Sequence, residues 1–239
     1  MRKQLLGGLI LAMLASYAFA DEASLKKTIQ AAFPKIRVES VTKTPYNGLY
    51  EVFIEGKIIY TDEKFRFLIA EGRLVDTQSR KDVTGERMNE LTHVDFSNLP
   101  LDQAIKVVRG NGSRKMAVFS DPDCPYCKRL EQNELVGLDN VTIYTFLYPI
   151  EGLHPDAGNK SRAIWCAPDR AKAWLAWTMN GQLPTAGAAC ENPVNKNIEL
   201  GHKLGVNSTP TIYFVDGTRM LGAYPAKEIE AKLDAAAKK

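Results

Sequence analysis

Two cysteines, Cys124 and Cys127, are separated by two residues and follow an apolar run, Met116–Ser120, that predicts a strand. Pro125 favours a helix start at this point, where its missing N–H costs nothing. Cys124 would then lie at the helix N-terminus, where free N–H groups stabilise an anion and lower its pKa from ~8.5 to about 7. Cys127 would lie one turn deeper as a buried thiol. The pattern predicts a reactive thiolate at Cys124.

A C-x-x-C pair alone also occurs in zinc sites and at covalent haem sites. A zinc ribbon needs a second close pair, whereas Cys166 and Cys190 are far apart, and covalent haem needs a histidine where Lys128 stands. The chain has three histidines, which are scattered without ligand spacing: His93, His154 and His202. We therefore expect neither a metal nor a cofactor and assign each histidine to the surface or to the surroundings of a site.

A second motif, Thr209-Pro210, directly precedes the apolar run Thr211–Asp216. A strand, a C-x-x-C pair, a helix and a later Thr-Pro before a strand form the arrangement of thioredoxin-like folds. We expect Pro210 to be cis and next to the cysteine pair, with Thr209 offering main-chain groups to an extended substrate peptide. A trans proline that only begins the strand is the alternative.

The four cysteines allow three disulfide pairings. One of them keeps Cys124 with Cys127 and adds a bridge between Cys166 and Cys190, whereas the other two join the close pair to distant partners. A Cys166–Cys190 bridge would stabilise the fold by about 3.5 kcal/mol on a chain-entropy estimate. Two free thiols at these positions are the alternative, which an oxidising compartment disfavours.

The N-terminus has the features of a secretory signal peptide over residues 1–20. Arg2 and Lys3 precede an apolar stretch that is too short to cross a bilayer, and Ala18-Phe19-Ala20 resembles a cleavage site. A retained anchor is the alternative.

Cleavage would remove two of the 31 basic residues and leave 29 against 28 acidic ones, a net charge of +1. This balance gives no electrostatic signal for nucleic acid or an anionic membrane surface, and no later segment is long and apolar enough for membrane insertion.

Residues 21–81 predict a small α+β domain with one helix and an antiparallel meander. The expected helix is Ser24–Phe33, and the expected strands are Ile36–Lys43, Leu49–Ile54, Lys57–Thr61, Phe65–Ala70 and Arg73–Gln78, with tight turns at Glu55-Gly56 and Glu71-Gly72. A unit of ~60 residues is marginal alone. It could pair its sheet edge with a second copy, or pack on its neighbour. A charged linker follows at residues 82–98 and contains an expected helix from Asp82 to Leu91, in which Glu86 and Glu90 repel each other.

Residues 99–239 predict a second domain with alternating helices and strands. The expected elements are a helix at Leu101–Arg109, the strand Met116–Ser120, a helix at Pro125–Leu135, a strand at Val141–Leu147, a helical insertion at 155–203, a hairpin of Thr211–Asp216 with Arg219–Ala223, and a helix at Ala226–Ala237.

These motifs make the chain resemble the DsbC/DsbG family of bacterial periplasmic thiol:disulfide interchange proteins. The resemblance covers the whole chain after residue 20, and its strongest marks are residues 121–128, Thr209-Pro210 and residues 99–112. It implies an α+β protein with an N-terminal cystatin-like dimerisation domain, a linker helix and a C-terminal thioredoxin fold with a helical insertion. It also implies Cys124 and Cys127 as the redox-active pair and Cys166–Cys190 as the structural disulfide of the DsbC branch.

The functional implications are those of a periplasmic homodimer joined through its N-terminal domains. It would act as a disulfide isomerase and chaperone on misfolded, disulfide-containing secreted proteins, and a membrane reductant of the DsbD type would keep it reduced. Pro125-Tyr126 between the cysteines is closer to the DsbG branch, so a reductase of oxidised protein thiols is an alternative. Two further alternatives are a DsbA-like thiol oxidase and a secreted holdase chaperone whose cysteines are incidental.

Overall fold

The computed structural model describes residues 21–185 and 190–238. They form two compact units, and the chain passes from the first to the second between Leu91 and Thr92. The expected signal peptide lies outside the described residues. The helices are α1 (21–32), α2 (Val83–Leu91), α3 (Pro125–Arg129), α4 (Ala157–Trp165), α5 (Arg170–Asn180), α6 (Val194–Lys203) and α7 (Ala226–Ala236). The strands are β1 (Val38–Lys43), β2 (Leu49–Ile54), β3 (Lys57–Asp62), β4 (Leu68–Ile69), β5 (Ile105–Arg109), β6 (Arg114–Ser120), β7 (Val141–Leu147), β8 (Thr211–Phe214) and β9 (Arg219–Leu221).

The first unit packs α1 against an antiparallel sheet of order β1-β2-β3-β4. Leu25 and Ile29, one helical turn apart, are buried against Tyr50 and Val52 of β2. The turn Glu55-Gly56 joins β2 to β3, and both of its residues have positive φ, as a two-residue hairpin turn requires. The predicted helix and antiparallel meander are therefore confirmed.

The fifth expected strand, Arg73–Gln78, is wrong. This segment contributes only an isolated bridge between Val75 and Asp82. The Asp76 carboxylate accepts hydrogen bonds from the backbone N–H groups of Gln78 (3.0 Å) and Ser79 (2.7 Å). This local bonding turns the chain where a strand would keep it extended. The last strand of the sheet is therefore β4, which forms only at Leu68–Ile69 of the expected strand Phe65–Ala70.

The helix expected in the linker is present as α2, and it packs on the first unit's sheet. Met88 and Leu91 lie against the cluster formed by the large side chains of β2 and β3. Arg87 donates to Glu51 of β2 (3.0 Å) and to Glu90 (2.9 Å). Arg87 thus offsets the acidic repulsion expected in this helix.

The second unit has a sheet of order β5-β7-β6-β8-β9, in which only β6 and β7 are parallel. Alternate side chains of β6 enter two cores. Met116 and Val118 pack with Ile229 of α7 on one face, and Phe119 packs with Tyr148 on the other. Because both faces of β6 are covered, its C-terminal end at Ser120 is held firmly where the cysteine motif begins.

The helix expected at Leu101–Arg109 is also wrong. A short 3-10 turn at Leu101–Gln103 is followed by β5, which pairs antiparallel with β7 along its whole length. Ile105 is buried, and Val107 and Val108 are β-branched residues that suit a pleated surface. The long-range pairing with β7 decides the conformation of a segment whose local apolar pattern fits a helix equally well.

The helical insertion expected at residues 155–203 is observed as α4, α5 and α6, with residues 186–189 outside the described part of the chain. Ile164, Trp165 and Trp174 pack against Ile105 and Leu147 of the sheet. In the described ranges, no helix has the length and apolar character needed to cross a membrane.

Candidate active site

The cysteine motif lies where β6 ends and α3 begins. Cys124 occupies the N-cap position of α3, with an extended backbone, and Pro125 follows at the first helical position. Both cysteines are free thiols; Cys124 is 5% exposed and Cys127 is fully buried. After Arg129 the helix continues as a π-helical turn, Leu130–Leu135, instead of the regular helix predicted from the sequence. Such turns often occur at functional sites.

The environment of Cys124 lowers its pKa to about 5. The largest cause is the Cys127 thiol, which donates to the Cys124 sulfur; the Thr209 hydroxyl and the backbone N–H groups of Cys127 and Tyr126 act in the same direction, and burial opposes them. The helix end alone predicted a pKa of about 7. The Cys127 thiol and the Thr209 side chain lower the pKa further than a helix end alone, so Cys124 is a thiolate at neutral pH.

The pKa of Cys127 is raised well above its ordinary value. Burial is the main cause, and the adjacent Cys124 adds to it. The Ser120 hydroxyl and the backbone N–H of Asp121 (3.4 Å) bond to the Cys127 sulfur but do not offset burial. The two sulfurs therefore differ in charge at neutral pH, with one nucleophile and one thiol held behind it.

Thr209 and Pro210 lie beside this pair, because β8 pairs with β6 and brings the preceding loop to the end of the sheet. The peptide bond between them is cis. The Cys124 sulfur is 3.4 Å from the Thr209 carbonyl oxygen, to which the thiol form can donate. The two motifs singled out in the sequence thus meet at one site.

Asp121 is a buried carboxylate directly beneath the motif, and the sequence argument gave it no role. Its Oδ1 accepts from the backbone N–H groups of Asp123 (2.7 Å) and Cys124 (3.2 Å), and its Oδ2 accepts from Ile150 N–H (2.7 Å). His154 Nδ1 lies 3.0 Å from the same Oδ2. An aspartate that ends a buried strand three residues before a cysteine is the signal that could have identified this turn.

Trp177 of α5 is the second group that the sequence argument missed. Its Nε1–H donates to the Pro122 carbonyl (2.6 Å), and its ring lies under the ammonium groups of Lys128 (4.5 Å) and Lys160 (5.2 Å). Lys160 also bonds Asp123 at 2.7 Å. Lys160, from the helical insertion, therefore compensates the negative charge of Asp123 next to the cysteine motif.

Glu131 is a second buried carboxyl near the motif, in the first turn of the π-helical segment. Trp174 Nε1–H donates to it at 2.7 Å, and burial raises the pKa of Glu131. Four positions separate Glu131 from Cys127, which places both on one side of the helix. Both tryptophans of α5 thus hold the cysteine helix and the loop before it.

Cys166 and Cys190 form a disulfide with a Cα–Cα distance of 5.7 Å. It joins the end of α4 to the segment that leads into α6, so both of its cysteines belong to the insertion. Of the three possible pairings, the structure contains the one that leaves Cys124 and Cys127 to each other. Among the described residues, no group of three or more His, Cys, Asp or Glu side chains is arranged to hold a metal ion.

Comparison with known proteins identifies relatives of both units. A thioredoxin-like domain model matches residues 101–237, and a model of the disulfide bond isomerase protein N-terminal domain matches residues 16–85. The probable thiol:disulfide interchange protein DsbC of Bordetella pertussis is 48% identical over 210 residues, covering 88% of this chain and 73% of that protein. DsbC of Escherichia coli K12 is 28% identical over 227 residues, covering 94% and 92%.

A solved structure of a disulfide interchange protein from Neisseria gonorrhoeae is also similar. It is 48% identical in sequence, with a TM-score of 0.57, and the match covers 59% of this chain and all of that chain. The sequence relatives and this structure carry the same activity in their names.

Proposed function

The chain belongs to the DsbC family of thiol:disulfide interchange proteins, and we propose that it is a protein disulfide isomerase whose attacking group is the Cys124 thiolate. The observation that carries this proposal is the contrast between the two sulfurs. The pKa of Cys124 is lowered to about 5, whereas the pKa of Cys127 is raised. In a site of this kind one sulfur attacks the substrate, and the other reacts only afterwards, with the mixed disulfide.

In the first step, the Cys124 thiolate attacks one sulfur of an incorrect substrate disulfide. A mixed disulfide forms between Cys124 and the substrate, and the second substrate sulfur leaves as a thiolate. That thiolate can attack another disulfide of the substrate and free a new substrate thiolate, which then attacks the substrate sulfur of the mixed disulfide and releases the Cys124 thiolate unchanged. The net reaction exchanges pairings without oxidation or reduction, as isomerisation requires.

Cys127 provides a second route when the substrate does not rearrange. It loses its proton and attacks Cys124, so that the Cys124–Cys127 disulfide forms and the substrate leaves as a dithiol. The protein has then been oxidised by two electrons. It needs an external dithiol donor, for which we propose a membrane reductant of the DsbD type.

Two features of the site support binding of an unfolded peptide. Thr209 places main-chain groups next to Cys124, and Tyr126, between the two cysteines, is 60% exposed. Extended peptides bind through main-chain hydrogen bonds and need few sequence-specific contacts. We therefore propose misfolded, disulfide-containing secreted proteins as substrates, with chaperone activity through the same surfaces.

The first unit supports the proposal of a homodimer. It matches the N-terminal domain of disulfide bond isomerases. Its edge strand β4 and the residue before it carry three exposed apolar side chains in sequence, Phe67, Leu68 and Ile69. An exposed apolar edge can pair with an identical copy, which would bury these side chains and satisfy the free backbone groups.

We also propose a periplasmic location. The support is the signal-peptide pattern of residues 1–20, which lie outside the described structure, and the Cys166–Cys190 disulfide, a feature of oxidising compartments. A protein that repairs disulfides has substrates in such a compartment.

Refolding of a scrambled multi-disulfide protein tests the isomerase. Cys124→Ser should abolish recovery of substrate activity, whereas Cys127→Ser should accumulate a mixed disulfide visible on a non-reducing gel. Full recovery with Cys124→Ser would indicate a holdase. Thiol trapping in intact cells separates the remaining alternatives, because an isomerase or reductase rests reduced and a thiol oxidase rests as the Cys124–Cys127 disulfide.

Pro125-Tyr126 favours a second candidate, a reductase of oxidised protein thiols, because residues between the cysteines tune the reduction potential. The same assay distinguishes it. A reductase consumes one equivalent of reductant for each substrate disulfide, whereas an isomerase restores correct pairings with a catalytic amount.

A further inference from the structure

His154 lies in the segment between β7 and α4, and its side chain contacts Asp121 in the turn that precedes α3. Its Nδ1 lies 3.0 Å from Asp121 Oδ2, and its side chain is 24% exposed although Asp121 is fully buried. The other contacts to this carboxylate are backbone N–H groups of Asp123, Cys124 and Ile150. Among these four partners, His154 is the one side chain.

The direction of this hydrogen bond follows from the chemistry of its partners. Three backbone N–H groups already donate to the Asp121 carboxylate, which is the arrangement of an acceptor. We therefore assign the tautomer in which Nδ1–H of His154 donates to Oδ2. Removing a hydrogen-bond donor from a buried carboxylate costs free energy, and the carboxylate shifts toward another donor. Because Asp121 Oδ1 holds the N–H groups of Asp123 and Cys124, such a movement would be passed directly to the nucleophile.

We propose that His154 is a positioning residue for Cys124: its Nδ1–H fixes the Asp121 carboxylate, which in turn fixes the turn that ends at the attacking sulfur. The inference rests on the proposed function, in which Cys124 is the nucleophile. It adds a residue from the segment between β7 and α4 to the groups that position the attacking sulfur.

Loss of the His154 donor would raise the pKa of Cys124 through two effects. Movement of the turn would draw the Cys124 sulfur away from the N–H groups of Tyr126 and Cys127, which lower its pKa. The Asp121 charge would also be less compensated beside a thiolate, since Lys160 is engaged with Asp123. Both effects raise the pKa of Cys124.

The test compares three substitutions in the full reduced chain: His154→Asn, His154→Gln and His154→Leu. Asparagine keeps an N–H donor near the place of Nδ1, glutamine carries its amide one bond further out, and leucine has no donor. The readout is the rate of Cys124 alkylation by iodoacetamide against pH. Buried Cys127 stays protonated in the range used, so it does not contribute.

We expect His154→Leu and His154→Gln to raise the pKa of Cys124 by about one unit, which slows alkylation about tenfold below pH 5 and leaves it unchanged at pH 8. His154→Asn should keep the pH profile of the original chain. His202→Leu is the matched control, because this histidine faces Tyr148 and lies on α6. It should not change the profile.

An unchanged profile in the leucine variant would overturn the proposal, and so would an asparagine variant that behaves like the leucine one. If His154→Leu fails to fold, as judged by circular dichroism, the contrast between asparagine and glutamine decides. Alkylation needs no protein substrate. A shifted profile in a chain that lacks isomerase activity would therefore reject the proposed function and keep the role of His154.

Discussion

The sulfur of Cys124 lies 3.4 Å from the carbonyl oxygen of Thr209, a residue 85 positions further along the chain. This contact joins the two parts of the site that the reaction needs, the nucleophile and main-chain groups that can hold an extended peptide. A substrate bound along the Thr209 backbone would place its disulfide next to the thiolate. In the proposed reaction, binding and attack would therefore occur at one place on the second unit.

The reduced protein should become more stable, relative to reduced Cys124→Ser, as the pH rises from 5 to 8. The pKa of Cys124 is about 5 in the fold and ~8.5 in an unfolded chain, so in this window the unfolded state holds a proton that the folded state has released. Its contribution then grows with pH by at most about 1.4 kcal/mol per unit and is lost as the pH falls through about 5.

Urea unfolding at several pH values in a phosphine reductant measures this effect. Cys127 does not interfere, because it stays protonated in both states over this range. The oxidised protein is a further control, since neither sulfur titrates in a disulfide. Equal pH slopes for the original chain and Cys124→Ser would contradict the assignment of the thiolate to Cys124.

The sequence predicts the position of the cysteine motif better than the groups around it, because the motif is local in the chain. Leu49–Ile54 and Val141–Leu147 were predicted with their observed bounds because their apolar pattern and turns are local. The segment at β5 fits a helix by its local pattern, but its conformation depends on pairing with β7, 32 to 40 residues away. His154 and Trp177 reach the cysteine loop from distant segments, so no spacing within the motif could indicate them.

The two tryptophans of α5 should respond differently to replacement by phenylalanine. Trp177→Phe loses a hydrogen bond to the Pro122 carbonyl but keeps a ring beneath Lys128 and Lys160, so we expect a loss of about 1 kcal/mol in unfolding free energy. Trp174→Phe removes the hydrogen-bond donor to buried Glu131, and the loss of this donor should cost about 2–3 kcal/mol.

The second prediction for this pair concerns the reaction. Trp177→Phe frees the loop before Cys124 and should slow isomerisation several-fold. Trp174→Phe should slow isomerisation less than Trp177→Phe does, although it loses more stability. Urea unfolding and the scrambled-substrate assay on both variants provide the comparison. A Trp174→Phe protein no less stable than Trp177→Phe would show that Glu131 does not depend on this donor.

Removal of the Cys166–Cys190 bridge should affect stability and leave the thiolate intact. The bridge closes a loop with a sequence separation of 24, so the double variant Cys166→Ala/Cys190→Ala should lose about 3.5 kcal/mol on the chain-entropy estimate. The pKa of Cys124 should stay at about 5, because the groups that lower it belong to Tyr126, Cys127 and Thr209 and not to the bridge. Alkylation against pH and urea unfolding measure the two quantities, and a raised pKa would indicate that the bridge positions the site.

The edge strand β4 should determine whether the protein is a dimer. Leu68 is 47% exposed on this strand, and Leu68→Lys would place a charge within an edge-to-edge contact, where an unpaired cation is costly. We expect the mass in solution to fall from that of a dimer to that of a monomer in sedimentation equilibrium. The rate at which iodoacetamide alkylates Cys124 should not change, because that reaction needs only the site in the second unit.

Val108→Lys is the matched control for the dimer. Val108 is 53% exposed and lies on β5, which is an edge strand of the second unit's sheet. The same apolar-to-lysine change on this edge should leave the mass unchanged if copies pair through β4. If Val108→Lys dissociates the dimer and Leu68→Lys does not, the second unit carries the interface, and the match of residues 16–85 to the isomerase N-terminal domain must reflect another role.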